Sequence, residues 1–174
     1  MVLSMAVIQY FSNSVFCQLS PFYPIKARER GVSQLYIGFV FGVMALAQIM
    51  VSFAVGKFLH KFNIGRHQIV LIGSSFIIAQ TVLFAYLEFV ESSMMFLVIS
   101  LVGQTLCGIG SGANMTANMA IIGSFDGGEK ERYLGWIQAA NGLGLLSGPL
   151  VGAVLYNLGG FSLPFIFFGK LLCS

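Results

Sequence analysis

The sequence predicts an all-α, polytopic membrane protein, and two observations carry that prediction. Hydrophobic residues make up 57% of the 174 residues and charged residues only 9%, whereas soluble domains carry about 25% charged residues. The mean hydropathy is +0.87, and the charges gather in short segments that separate long uncharged runs. Since a helix needs about 20 apolar residues to cross a bilayer, we expect each long uncharged run to form a membrane span.

The uncharged runs predict six helices, at about 3–22, 33–56, 68–87, 94–121, 133–156 and 161–174. Pro21 and Pro24 are expected to end the first helix, because proline lacks a backbone donor and clashes with the preceding turn. The sixth helix reaches only to Ser174, which is too short for a full span. We therefore expect one transmembrane bundle over residues 1–174, with a truncated sixth helix and the C-terminal half absent.

Composition also excludes several classes of function. A net charge of +3, scattered along the chain, is too small for nucleic-acid binding. The cysteines stand singly at Cys17, Cys107 and Cys173, without the spacing of a metal site or a disulfide framework. We find no nucleophile and base set, so we expect no enzyme, no cofactor and no metal. The expected environment is the lipid bilayer, crossed several times, with the vesicular and plasma membranes both left open.

Neutral amides are the candidate binding groups, because no Asp, Glu, Lys, Arg or His lies within the first five predicted spans. Asn114 and Asn118 are four residues apart, and Gln138 and Asn141 are three apart, so each pair shares one helix face. Together with Asn13 in the first helix, they are predicted to line a polar cavity for a small-molecule solute. The alternative is that each amide makes an interhelical hydrogen bond worth about 1 kcal/mol.

The fifth helix has a face made of glycine. Gly144, Gly148 and Gly152 recur every four residues, so they lie on one side of the helix and allow another backbone to approach closely. Pro149 removes one intrahelical hydrogen bond beside that face and is expected to bend the helix. The pattern predicts a helix that packs closely, and moves, against a partner helix.

This segment resembles the helix-5 signature of the antiporter branch of the major facilitator superfamily. The signature is a glycine, three residues, Gly-Pro, two residues and Gly-Gly, and the chain departs from it only at Ala153. A second resemblance lies between helices 2 and 3, where Gly56, Lys61, Gly65 and Arg66 are similar to a charged cytosolic loop of that superfamily. The resemblance implies a structural or gating role for both segments. His60 stands where that loop has an aspartate, and Gln104 stands where antiporters have an arginine in helix 4.

The wider sequence resembles the vesicular amine and polyamine transporters. The similar segments are Ser20-Pro-Phe-Tyr-Pro, Gly31-Val-Ser, Ile37-Gly-Phe-Val-Phe-Gly, Gly142-Leu-Gly and Leu163-Pro-Phe-Ile. The resemblance implies the six-helix N-terminal half of a secondary active transporter. In that subgroup a small organic cation is exchanged for protons by alternating access, with glycine faces as sliding surfaces.

Two other hypotheses remain open from the sequence. The chain is either a non-transporting membrane protein or regulatory subunit that assembles through its glycine-rich helix faces, or a half-size transporter that works as a homodimer. Every one of these hypotheses requires a partner, which is the missing C-terminal half, another subunit or a second copy.

Overall fold

The computed structural model describes residues 2–59, 65–125, 127–160 and 162–173. These residues form six α-helices and, within those ranges, no strand. The helices are α1 (Val2–Glu29), α2 (Gln34–Leu59), α3 (Arg66–Tyr86), α4 (Ser93–Ile122), α5 (Gly128–Gly159) and α6 (Ser162–Cys173). One 3₁₀ turn, Leu87–Phe89, follows α3. The predicted all-α fold is confirmed.

Four of the described helices are long and apolar enough to cross a membrane. These spans are Gln34–Lys57, Arg66–Phe89, Ser93–Ile122 and Gly128–Leu158. The first helix, α1, is also long, with 28 residues, but polar side chains interrupt its apolar sequence. The last helix, α6, has 12 residues, which at about 1.5 Å per residue is well short of the bilayer core.

The first helix is longer than the sequence predicts. It continues through Pro21 and Pro24 to Glu29, whereas we expected it to end near residue 22. The reason is tertiary packing, because one face of this extension is fully buried through Leu19, Tyr23 and Ala27. Burial of that face stabilises the helix by more than the two lost backbone hydrogen bonds cost, and membrane helices tolerate proline where neighbouring helices cover the freed carbonyls.

The fifth helix begins earlier than predicted, at Gly128 instead of near residue 133. Its first turn contains Glu129 and Glu131, and acidic side chains at a helix N-terminus interact favourably with the helix dipole. The charged segment therefore belongs to the helix, although it lies outside the apolar run.

The bundle is organised around α4, which packs against α2 on one side and α3 on the other, while α1 packs against α5. The short helix α6 lies on α3 and also contacts α5 and α1. The largest buried apolar cluster contains Leu19, Tyr23, Phe84, Phe96 and Phe165. Large apolar side chains of α2 and α5, among them Phe39, Met50, Phe53, Leu146 and Leu150, are exposed, and they provide the surface for lipid or a partner.

Candidate solute-binding site

A cavity of about 290 Å³, lined by seven polar side chains among more extensive apolar surface, lies mainly between α1, α2, α4 and α5. Three of the five predicted binding residues line it: Asn13, Asn114 and Asn141. Its other polar lining residues are Gln9, Ser12, Gln48 and Ser111. Its apolar walls include the rings of Phe16 and Phe41. The cavity thus combines several amides and hydroxyls with aromatic surface.

Asn141 of α5 is the centre of an amide network that joins three helices. Its Oδ1 accepts hydrogen bonds from Gln9 Nε2 at 3.2 Å and from Asn13 Nδ2, both on α1. Its Nδ2 donates to Gln138 Oε1 at 3.4 Å. Asn118 Nδ2 of α4 donates to Gln9 Oε1 at 3.0 Å. Four of the predicted residues are therefore connected to one another through Gln9 and Asn141.

Asn114 lies apart from this network, on the same face of α4. Its Nδ2 donates to Ser74 Oγ of α3 at 3.4 Å, while its buried Oδ1 has no hydrogen-bond partner among the described residues. The same holds for Ser12 Oγ on the opposite wall. Asn114 Oδ1 lies against Gly73 of α3, so both ends of this amide face α3, and Ser12 Oγ is the unpartnered oxygen on the α1 side of the cavity.

Gln9 was not among the predicted binding residues, and it is the largest omission. A signal for it existed, because Gln9 is four residues before Asn13 and so shares its helix face. Similarly, Ser111 lies three residues before Asn114 in α4 and shares its helix face. In contrast, Gln138 is exposed and reaches the cavity only through Asn141.

The glycines of α5 bring its backbone onto α1. A methyl group at Gly144 would lie 2.6 Å from Tyr10 O, and one at Gly148 would lie 2.7 Å from Ser14 O. Gly152 is buried on the same face, and α5 continues through a half-buried Pro149. Since proline has no N–H, the carbonyl of Leu145, which lines the cavity, loses its helical donor.

Glycines also bring α4 close to both of its neighbours. A methyl group at Gly112 would lie 2.7 Å from Gln48 O of α2, and one at Gly110 would lie 2.5 Å from Gly73 O of α3. The small residues thus fix the walls of the cavity, because they set the separation of α4 from α2 and α3.

The predicted gating loop lies at the far end of α2. Gly56 is exposed and closest to Thr116 Cγ2, at 4.0 Å from the position of an added methyl group. Gly65 precedes α3, and Arg66 is its exposed first residue. Lys61 lies outside the described residues. In the part of the chain that the structure describes, no carboxylate lies within ion-pair distance of Arg66.

Comparison with known protein families identifies the family of this helical bundle. A model of the Major Facilitator Superfamily matches residues 2–172. The chain belongs to that superfamily. This confirms the resemblance found in the sequence, and the chain is an integral, multi-pass membrane protein.

Relatives within the superfamily are named as transporters. The MFS-type transporter SLC18B1 of Mus musculus is 32% identical over 88% of this chain and 33% of its own length, and that of Homo sapiens is 30% identical over 97% and 36%. The synaptic vesicular amine transporter of Rattus norvegicus is 28% identical over 86% and 28%. The chain therefore spans about a third of the length of these relatives, and their names favour a transporter over an enzyme.

Proposed function

We propose that the chain forms one six-helix half of a secondary active transporter, and that the polar cavity is its part of the solute-binding site. The observation that carries the proposal is the cavity itself, walled mainly by α1, α2, α4 and α5 with amides on all four of them. Transporters of this architecture bind solute near the bilayer midplane, between two halves. Asn13 and Asn141 lie close to the middle of α1 and α5, as such a site requires.

The chemistry of the cavity favours a solute that donates hydrogen bonds. The buried Ser12 Oγ has no hydrogen-bond partner among the described residues, and an N–H group of a solute would satisfy it. Phe16 and Phe41 add aromatic faces, which attract cations as well as apolar groups. These features support a small organic amine as the solute.

Proton-coupled antiport is the mechanism that we infer for this amine. The residues that line the cavity include no carboxylate, and an amine is costly to desolvate without a compensating partner. The carboxylate that binds the ammonium and exchanges protons is therefore supplied from outside this cavity wall, by the other half of the transporter. Gly144, Gly148 and Gly152 hold α1 on α5, so these helices would rock as a unit, while the loop of Gly56, Lys61, Gly65 and Arg66 would act as a gate.

A regulatory subunit is the second candidate function, and one observation favours it. Gly38 and Gly42 of α2 have open space where a side chain would be, and Phe39 and Met50 are exposed on the same helix. The glycine faces of α4 and α5 are covered within the chain, so α2 is the face for another subunit. Crosslinking in native membranes from a cysteine introduced at Gly42 would separate the two candidates by the mass and helix number of the captured partner.

Uptake through a chimera tests the proposed function. In the chimera, residues 2–172 replace the matching third of the mouse relative, and uptake of a labelled amine into proteoliposomes is measured under a pH gradient. We expect uptake that is lost in the double variant Asn13→Leu/Asn114→Leu and retained in Ser75→Leu, whose hydroxyl bonds only its own helix at Leu71 O. A folded chimera without uptake, or full uptake by the asparagine variant, would contradict the proposal. Uptake that persists after a protonophore collapses the gradient would contradict proton coupling.

A further inference from the structure

One face of α4 carries a continuous polar stripe. Its members are three or four residues apart: Ser100, Gln104, Cys107, Ser111, Asn114 and Asn118. Residues with this spacing lie on one face of a helix, and at about 1.5 Å per residue the stripe is about 27 Å long. All of its members except Ser111 are buried. The α4 polar stripe therefore runs through the interior over most of the thickness of a bilayer core.

The cavity covers only part of the α4 polar stripe. Cys107, Ser111 and Asn114 line the cavity, while Gln104 and Ser100 lie beyond it. Gln104 is fully buried, and neither its Nε2 nor its Oε1 has a hydrogen-bond partner among the described residues. Gln80 of α3 is also fully buried, and neither its Nε2 nor its Oε1 has a hydrogen-bond partner in the described structure.

The two glutamines lie within about one helical turn of each other along the α3–α4 interface. Contacts on either side fix the register of these antiparallel helices. A methyl group at Gly110 would lie 2.8 Å from Ile77 Cγ1, and one at Gly103 would lie 3.0 Å from Phe84 Cδ2. Gln80 is between Ile77 and Phe84 on α3, and Gln104 is between Gly103 and Gly110 on α4. Four unpartnered amide atoms therefore come to one short stretch of the interface.

Buried apolar side chains flank Gln80 along α3. Phe84 belongs to the cluster that contains Phe96, and Ile77 belongs to the cluster that contains Val15 and Phe168. A buried polar group without a partner costs about 1–3 kcal/mol, and lipid offers none. In proteins such groups are typically satisfied by buried water, which makes about three hydrogen bonds to them.

We propose that the α4 polar stripe binds a file of water molecules that continues the cavity past Cys107 to Ser100, with Gln80 and Gln104 as its central ligands. Each carboxamide donates through its NH₂ group and accepts through its oxygen, so water molecules between the two amides are held from both helices. The ring of Tyr23 stacks on Phe96, and its buried hydroxyl lies beside the Ser100 hydroxyl at that end of the stripe.

The file would give protons a route through this bundle. The described membrane-spanning helices contain no Asp, Glu, Lys, Arg or His in their apolar runs, so a relay of ionisable side chains is not available in them. Protons pass along hydrogen-bonded water by exchange of O–H bonds, and no side chain has to change its charge. This role in proton movement rests on the proposed function, whereas the hydration of the stripe does not.

Radiolytic hydroxyl labelling of the chain in lipid nanodiscs tests the hydration directly, because radicals formed from bound water label the side chains beside it. The reporter is Ser100→Cys, at a position that is fully buried. The matched control is Val40→Cys, equally buried in the apolar cluster. Mass spectrometry reads each thiol separately. We expect the thiol at position 100 to be labelled several-fold faster than the thiol at position 40, and equal rates would overturn the proposal.

A second pair of substitutions tests the two glutamines. Gln80→Met and Gln104→Met keep the side-chain length but remove the amides, and volume-conserving changes are tolerated best in a packed interior. In the double variant we expect labelling at position 100 to fall to the rate at position 40, while labelling of Cys107, beside the cavity, persists. An unchanged rate at position 100 would overturn the proposal. If the double variant does not fold, the labelling rate at position 100 is measured in Gln104→Met alone and compared with the rate at position 40 in the same way. Neither measurement depends on transport activity.

Discussion

Gln9 Nε2 donates a hydrogen bond of 3.2 Å to Asn141 Oδ1, and this bond joins α1 to α5 across 132 positions of sequence. The same Gln9 accepts from Asn118 of α4. One side chain thus holds three helices together at the wall of the cavity. An interaction of this kind couples the shape of the cavity to the stability of the bundle.

Asn141→Leu is expected to destabilise the bundle, because it removes the acceptor shared by Gln9 and Asn13 and leaves Gln9 Nε2 beside an apolar group, while Asn13 Nδ2 keeps its bond to Gln9 O. Each interhelical hydrogen bond in a membrane protein contributes about 0.6–2 kcal/mol, so the loss should be about 1–3 kcal/mol. Thermal unfolding of the purified chain in detergent measures it. Gln138→Leu is the control, since Gln138 is exposed and bonds only Asn141. Equal melting temperatures for the two variants would contradict the central place of Asn141 in the network.

Gly148→Ala is expected to destabilise the pairing of α1 and α5. The added methyl group would lie 2.7 Å from Ser14 O, and forced overpacking of this kind costs about 1–3 kcal/mol. Gly142→Ala is the matched control on the same helix, because an added methyl group there has nothing within 4 Å. Replacing that glycine should be neutral or stabilise the helix by up to about 1 kcal/mol. Thermal unfolding should therefore shift in opposite directions, and a stabilising Gly148→Ala would show that this face is not closely packed.

These two cases show what sequence could and could not predict. The spacing of Gly144 and Gly148 identifies a packing face whichever helix covers it, so the face was predictable. That the covering helix is α1 was not, because all the spans are apolar and the choice of neighbour depends on the shapes of whole helices. The same limit applies to Gln9, whose helix face is visible in the sequence but whose partners on α4 and α5 are far away along the chain.

The error at the end of α1 has a related cause. Pro21 and Pro24 are strong local signals for a helix end, and the charges from Lys26 onward mark the end of the apolar run. The helix continues because Tyr23 and Ala27 are buried against other helices. Such burial is a property of the assembled bundle, so it outweighs the local signal without leaving a trace in the local sequence.

Arg30→Ala is expected to loosen the end of the bundle where the α1–α2 and α3–α4 connections meet. Arg30 Nη2 donates to Glu88 O at 3.1 Å, while Ser93 Oγ donates to Arg30 O. Removing the guanidinium frees the 3₁₀ turn Leu87–Phe89 from the α1–α2 connection. Hydrogen–deuterium exchange of that turn should become faster, with a stability loss of about 1 kcal/mol.

Arg28→Ala is the control for this prediction. It removes the same charge from the last turn of α1, but among the described residues the exposed Arg28 side chain bonds Gln34 Oε1 and not the 3₁₀ turn. Exchange of the turn should remain at the wild-type rate. If both variants accelerate exchange equally, the effect comes from the loss of positive charge and not from the bond to Glu88.

The chain by itself is expected to bind an amine without transporting it. Alternating access requires two halves that close the binding site from opposite sides in turn, and the cavity here is walled by four helices of a single bundle. Uptake of a labelled amine into proteoliposomes under an imposed pH gradient measures transport, and a thermal shift with the same amine measures binding. The matched control ligand is the quaternary analogue, which has no N–H to donate to Ser12 and should give a smaller shift. Uptake that exceeds that of empty liposomes and disappears with a protonophore would show that this bundle, alone or as a homodimer, completes the transport cycle.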